Sequence, residues 1–133
     1  MVAQRIWNER ALKADFIKAL YDGFPPFDRI FITEAIFRPH GKELVIKFSI
    51  DKLPTNIMSK WGKINSVSIT ISFFEIISAS LSKIDYPGNS AISIFELNDN
   101  NIRIVIEGEI GLEFVCEFIA VKGVEGYWRS ESI

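Results

Sequence analysis

Ser66-Val67-Ser68-Ile69-Thr70-Ile71-Ser72-Phe73 sets Val67, Ile69, Ile71 and Phe73 on one side of an extended chain and only hydroxyl residues on the other. That is the two-residue period of a strand with one face in a core and one face in water. The alternation returns at Leu44, Ile46, Phe48 and Ile50, and again at Ile102, Ile104 and Ile106. Half-buried strands in succession point to antiparallel pairing rather than to a βαβ series, whose strands would be apolar on both faces.

Working outward, turn chemistry brackets the strands. Arg38-Pro39-His40-Gly41-Lys42 separates an extended run, begun after Pro25-Pro26 at Phe27 or Asp28, from Glu43–Ile50, so the two read as a hairpin. Residues 51–62 have no steady period and read as an irregular crossing with at most one helical turn. Strands are expected at about 64–74 and 75–84, either separate or as one long bent strand with a bulge. The second has Ile77, Ala79 and Leu81 against serines. Tyr86-Pro87-Gly88-Asn89-Ser90 and Leu97-Asn98-Asp99-Asn100-Asn101 are turn signals around a strand at 91–95, which 102–107 joins. After Gly108 and Gly111, residues 112–122 read as one strand with Leu112, Phe114, Cys116, Phe118 and Ala120 on one face and Glu113, Val115, Glu117, Ile119 and Val121 on the other.

Upstream, Asn8 reads as a helix N-cap. Leu12, Phe16 and Leu20 form a stripe, and Gly23 is the stop, giving a helix over about 8–22. The expected architecture is α+β and mainly β: one domain over residues 1–133, with this helix packed on a curved antiparallel sheet (about 28–128) of seven or eight strands. So wide a sheet twists, and partial closure into a barrel is one outcome.

Composition bounds the function. With 133 residues, 48% apolar residues and 11 Phe, the chain can build a sizeable core. A net charge of −2 argues against a general nucleic-acid binder, which needs a basic excess, so no nucleic-acid partner is expected. The charge is polarised, net +3 over residues 1–90 and net −5 over 91–133. One cysteine, Cys116, leaves no internal disulfide. No apolar run is long enough for a signal or a membrane span, so a cytoplasmic protein away from membranes is expected.

The residues that carry chemistry are sparse. His40, the single histidine, sits in a turn without a second metal ligand, and Cys116 lies among apolar neighbours. Phosphate-binding loops, dinucleotide fingerprints and zinc-protease helices are absent from the sequence, so neither a catalytic residue nor a cofactor is expected. Glu107, Glu109, Glu113 and Glu117 are dense enough to form either a solvated face or an acidic patch that meets a basic partner. Trp61, after Lys60 in the irregular crossing, is either a lid over one end of the sheet or an interface anchor.

Read as a pattern, Leu20-Tyr21-Asp22-Gly23-Phe24-Pro25, Phe27-Asp28-Arg29-Ile30, Leu44–Ile50, Leu53-Pro54, Lys60-Trp61, Val67–Ile76, Ile106-Glu107-Gly108 and Gly123–Tyr127 with Gly126-Tyr127 resemble the immunity protein 50 family, found beside bacterial polymorphic toxins. The resemblance implies a non-enzymatic protein that binds and neutralises a cognate toxin by stoichiometric occlusion in the producing cell's cytoplasm. The acidic cluster and Trp61 are then the expected contacts. Two other readings stand beside it. One is a carrier of a small apolar ligand in a cavity of the curved sheet; the other is a subunit that pairs through an exposed strand edge.

Overall fold

In the computed structural model, residues 2–85 and 89–130 are described. The turn signal at 86–90 therefore lies largely outside the described residues. The elements are α1 (Val2–Arg10), β1 (Ala11–Leu12), α2 (Asp15–Tyr21), β2 (Ile30–Arg38), β3 (Glu43–Ile50), a 3-10 turn (Ser59–Trp61), β4 (Ser66–Phe74), β5 (Ser78–Ile84), β6 (Asn89–Glu96), β7 (Ile102–Gly108), β8 (Ile110–Cys116) and β9 (Phe118–Tyr127). The strands make one nine-stranded sheet in the order β1-β9-β4-β3-β2-β6-β7-β8-β5. All the described pairings are antiparallel except that of β1 with β9, so the sheet is mixed rather than purely antiparallel. Its edges, β1 and β5, do not meet, and the sheet is not a closed barrel.

The alternation in β4 is realised: Val67, Ile69, Ile71 and Phe73 are all completely buried. On the hydroxyl side Ser68 and Thr70 reach solvent, whereas Ser72 is buried. The sheet folds on itself at a narrow seam. β2 and β6 pair only at Ile30 with Ser90 and Phe31 with Asn89, and beyond these two pairs the strands part. The inner faces of the two halves then share one core, filled by Trp7, Phe48, Phe73 and Phe114.

The expected helix over 8–22 is two helices, because a sheet contact interrupts it. Ala11 and Leu12 add to β9 opposite Ile119 and Ala120, and Lys13 takes a left-handed backbone (φ 53°) to turn the chain into α2. The stripe fails accordingly: Leu20 is buried with Ile17 and Tyr21, but Leu12 and Phe16 are exposed. Asn8 is no N-cap but lies inside α1, where it ties the two helices together. Its Nδ2 donates to the Gln4 carbonyl (2.8 Å), its Oδ1 accepts the Phe24 N–H (3.2 Å), and its carbonyl accepts the Lys18 ammonium (2.7 Å). Trp7 of α1 stacks on Phe24 (5.6 Å) and meets Phe27 edge-on (5.3 Å), the aromatic geometry that adds to plain burial.

Two further expectations fail for one reason, a corner in the chain. The strand read over 112–122 is broken at Glu117, whose N–H donates to the Phe74 carbonyl (3.1 Å). β8 stays in one half of the sheet and β9 crosses to the other, which resets the alternation. Phe114 and Cys116 point inward, then Ile119 and Val121 do, and Phe118 is exposed. β4 and β5 are likewise separate and not neighbours. Glu75 has a left-handed backbone (φ 56°), Ile76 N–H donates to Lys42 and Ile77 N–H to Val115. β5 becomes an edge strand with every residue exposed, Ile77 before it is exposed as well, and the face read as apolar core over 77–81 is not in the core.

Candidate functional site

The Glu residues singled out from sequence do not form one patch. Glu107 on β7 and Glu113 on β8 point to the outer face of the sheet and border the same open depression, with Lys83, Phe95 and Arg103 around them. Register brings them together, since β7 pairs with β8 by Val105 opposite Glu113 and Ile106 opposite Leu112. The face they share carries mixed charge. Arg103 Nε donates to Glu113 Oε2 at 2.8 Å, and the neighbouring carboxylate holds the guanidinium pKa above its ordinary value. Lys83 is similarly paired with Asp85 (3.3 Å). Glu109 lies in the reversal between β7 and β8, fixed by its backbone, which donates to the Asn89 carbonyl and accepts the Asp85 N–H. Glu117 stands at the β8–β9 corner and borders a different depression, beside Arg10, Leu12 and Asp99.

Trp61 sits on the 3-10 turn, half-buried, edge-on to Phe16 of α2 at 6.1 Å. Its ring lies over Gly126 of β9, where a Cβ would approach Trp61 Cε3 to 2.5 Å. The close approach of ring to backbone explains why glycine stands there, and it makes Trp61 a lid on the sheet with one side open to a shallow depression containing Lys47, Lys60 and Glu125.

A cleft that sequence reading did not assemble lies at the end of the sheet where β2, β4 and β6 begin and β3 and β9 finish. It has a volume of about 580 Å³ and is lined by Arg29, Phe31, Asp51, Asn65, Trp128 and Arg129, among others. With Asn89 of β6, the lining comes from five separate segments, so no local motif announces it. The nearest sequence signal is the pair of basic residues at the strand ends, Arg29 and Arg129.

The groups with latent reactivity lie apart from one another. Cys116 is completely buried, and burial pushes its thiol up to about 12, with Arg10 pulling down and Glu117 pushing further up. Burial also raises the Tyr21 phenol, which donates to the Lys52 carbonyl (2.7 Å). His40 is exposed in the β2–β3 turn. Among the described residues no three His, Cys, Asp or Glu side chains converge as a metal ion requires, and no helix is long and apolar enough to cross a membrane. The space between the two halves, where a carried ligand would sit, is occupied by the Phe73–Phe114 contact and by Trp7.

Against known proteins, a family model matches residues 13–127, and its description is Immunity protein 50. Neither the curated proteins nor the solved structures yield a match.

Proposed function

The chain belongs to the Immunity protein 50 family, and from that premise we propose that it binds a cognate bacterial toxin and neutralises it by stoichiometric occlusion, as one domain acting in the producing cell's cytoplasm without chemistry of its own. The observation that carries the reading is the family match over residues 13–127. The geometry supports it in kind: β5–β8 present an outer face that no helix among the described residues covers, with both signs of charge and the exposed ring of Phe95, which is the composition of a recognition surface. We place the contact on Glu107 and Glu113 of that face, with Glu109 in the adjoining reversal and with Glu117 and Trp61 as outlying members.

The test is co-expression with the toxin domain encoded beside this gene. Protection of the cell and a one-to-one complex on size-exclusion chromatography with light scattering are expected. A toxin that kills unabated at equimolar immunity protein would overturn the proposal. Glu107→Lys with Glu113→Lys is expected to weaken protection while the fold persists, since both side chains are exposed; unchanged protection removes this face.

A further inference from the structure

Of the chain's six arginines, Arg5, Arg10, Arg38 and Arg103 each have a carboxylate within 4.0 Å. The two without an acidic partner among the described residues, Arg29 and Arg129, line the same cleft. Neither guanidinium makes a hydrogen bond to a described residue. We propose that this cleft is a receptor for carboxylate side chains on an acidic segment of the protein partner, a second contact, cationic where the Glu107–Glu113 face carries both signs of charge. The proposal rests on the toxin-binding reading for the identity of the partner, and on the cleft alone for its chemistry.

Arg129 is mounted for such a role. Asn65 grips its backbone from both sides, Oδ1 accepting the Arg129 N–H at 2.7 Å and Nδ2 donating to the Arg129 carbonyl at 2.9 Å, while Asn65 N–H donates to the Tyr127 carbonyl (3.1 Å). The guanidinium Cζ lies over the Phe31 ring, 4.8 Å from its centroid. The contact with the ring restrains the guanidinium, and its N–H donors make no hydrogen bond to a described residue, so they are available to a carboxylate, which an arginine can take through two parallel bonds. A held cation surrenders little conformational freedom on binding, so the cost of recognition falls. Lys63, lying 4.8 Å over the Trp128 ring, widens the cationic rim, and Asp51 is the single acidic side chain among the cleft's lining residues. The volume of about 580 Å³ exceeds the needs of one inorganic anion and suits several residues of a peptide.

The experiment titrates the folded chain with an acetylated, amidated pentapeptide of alternating Asp and Glu, and separately with inorganic phosphate. Binding is read by tryptophan fluorescence and by NMR of the arginine side chains at low ionic strength. Saturable peptide binding is expected, with at least a tenfold loss of affinity in Arg29→Gln and in Arg129→Gln, and no change in Arg5→Gln, a control of equal charge that lies on α1. Phe31→Leu, which keeps the charge and removes the ring, is expected to weaken binding severalfold, so the test survives if Arg129→Gln does not fold. Equal losses in all the arginine variants would reduce the effect to net charge and overturn the proposal. So would phosphate binding as tightly as the peptide, or no saturation. Peptide binding reports on the cleft and toxin co-expression on the proposed function, so failure of one is distinguishable from failure of the other.

Discussion

The rings of Phe73 on β4 and Phe114 on β8 meet at 4.8 Å between centroids, inclined by 72°. In strand order these two strands stand five steps apart, roughly 24 Å in a flat sheet at the usual strand spacing. The contact exists only because the sheet folds over at the β2–β6 seam, and it pins one half to the other. Phe114→Ala is expected to cost about 3–5 kcal/mol in urea unfolding, the usual effect of emptying an aromatic site in a core. A double-mutant cycle with Phe73→Ala should return a coupling of about 0.5–1.5 kcal/mol, whereas two halves that stabilise themselves independently would give additive losses.

Gly126→Ala drives a methyl into Trp61 Cε3 at 2.5 Å and Ile64 Cδ1 at 2.9 Å. Overpacking of this kind costs about 1–3 kcal/mol. The loss should shrink in a Trp61→Ala background, because the ring that collides is gone. Equal losses in both backgrounds, measured by chemical denaturation, would mean that the lid does not rest on the sheet.

Cys116 is buried as the neutral thiol. Burial raises its pKa to about 12, while the same group in the unfolded chain ionises near about 8.5. Its contribution to stability is therefore complete below about pH 8.5 and is lost as pH rises toward about 12, by up to about 1.4 kcal/mol per pH unit. Between pH 8 and pH 10.5 the urea midpoint should fall further for the native chain than for Cys116→Ala. A thiol-specific reagent should react with the native protein only at the rate of unfolding.

The C-terminal end of α2 is closed by the irregular crossing. Asn56 donates through Nδ2 to the Ala19 carbonyl (2.9 Å) and through its N–H to the Leu20 carbonyl (3.0 Å), and the Tyr21 hydroxyl donates to Lys52. Orphan carbonyls at a helix end need such partners. Tyr21→Phe is expected to cost about 0.5–1.5 kcal/mol, and Asn56→Ala to speed amide hydrogen exchange across α2 while leaving β4 unchanged. Faster exchange in β4 as well would show that the two segments open together.

The strands were legible wherever alternation acts through immediate neighbours. β3 was placed to the residue, and β4, β6 and β7 to within a few residues, because a side chain's choice of face follows from the pleat of its own strand. The misses are positions where a distant segment overrode local pattern. β1 formed because β9 offered an open edge to Ala11 and Leu12. The reading of 112–122 failed because Glu117 turns a corner to bond Phe74. The acidic cluster was legible as composition, but its division between an outer face and a corner was not, since Arg103 and Arg10 approach it from other strands and helices.

By itself the sequence determined that most of the chain would be extended with one apolar face, that a helical segment would precede it, and which family pattern it follows. Hydrophobic period and turn chemistry are local properties, carried by residues a few positions apart. The tertiary structure alone decided where the sheet bends, which edges stay open, and that Arg29 and Arg129 share a cleft while the other arginines are neutralised. Those outcomes depend on strand order and on contacts between residues far apart in the chain, where many arrangements satisfy the same alternation and only the packing of a common core selects among them.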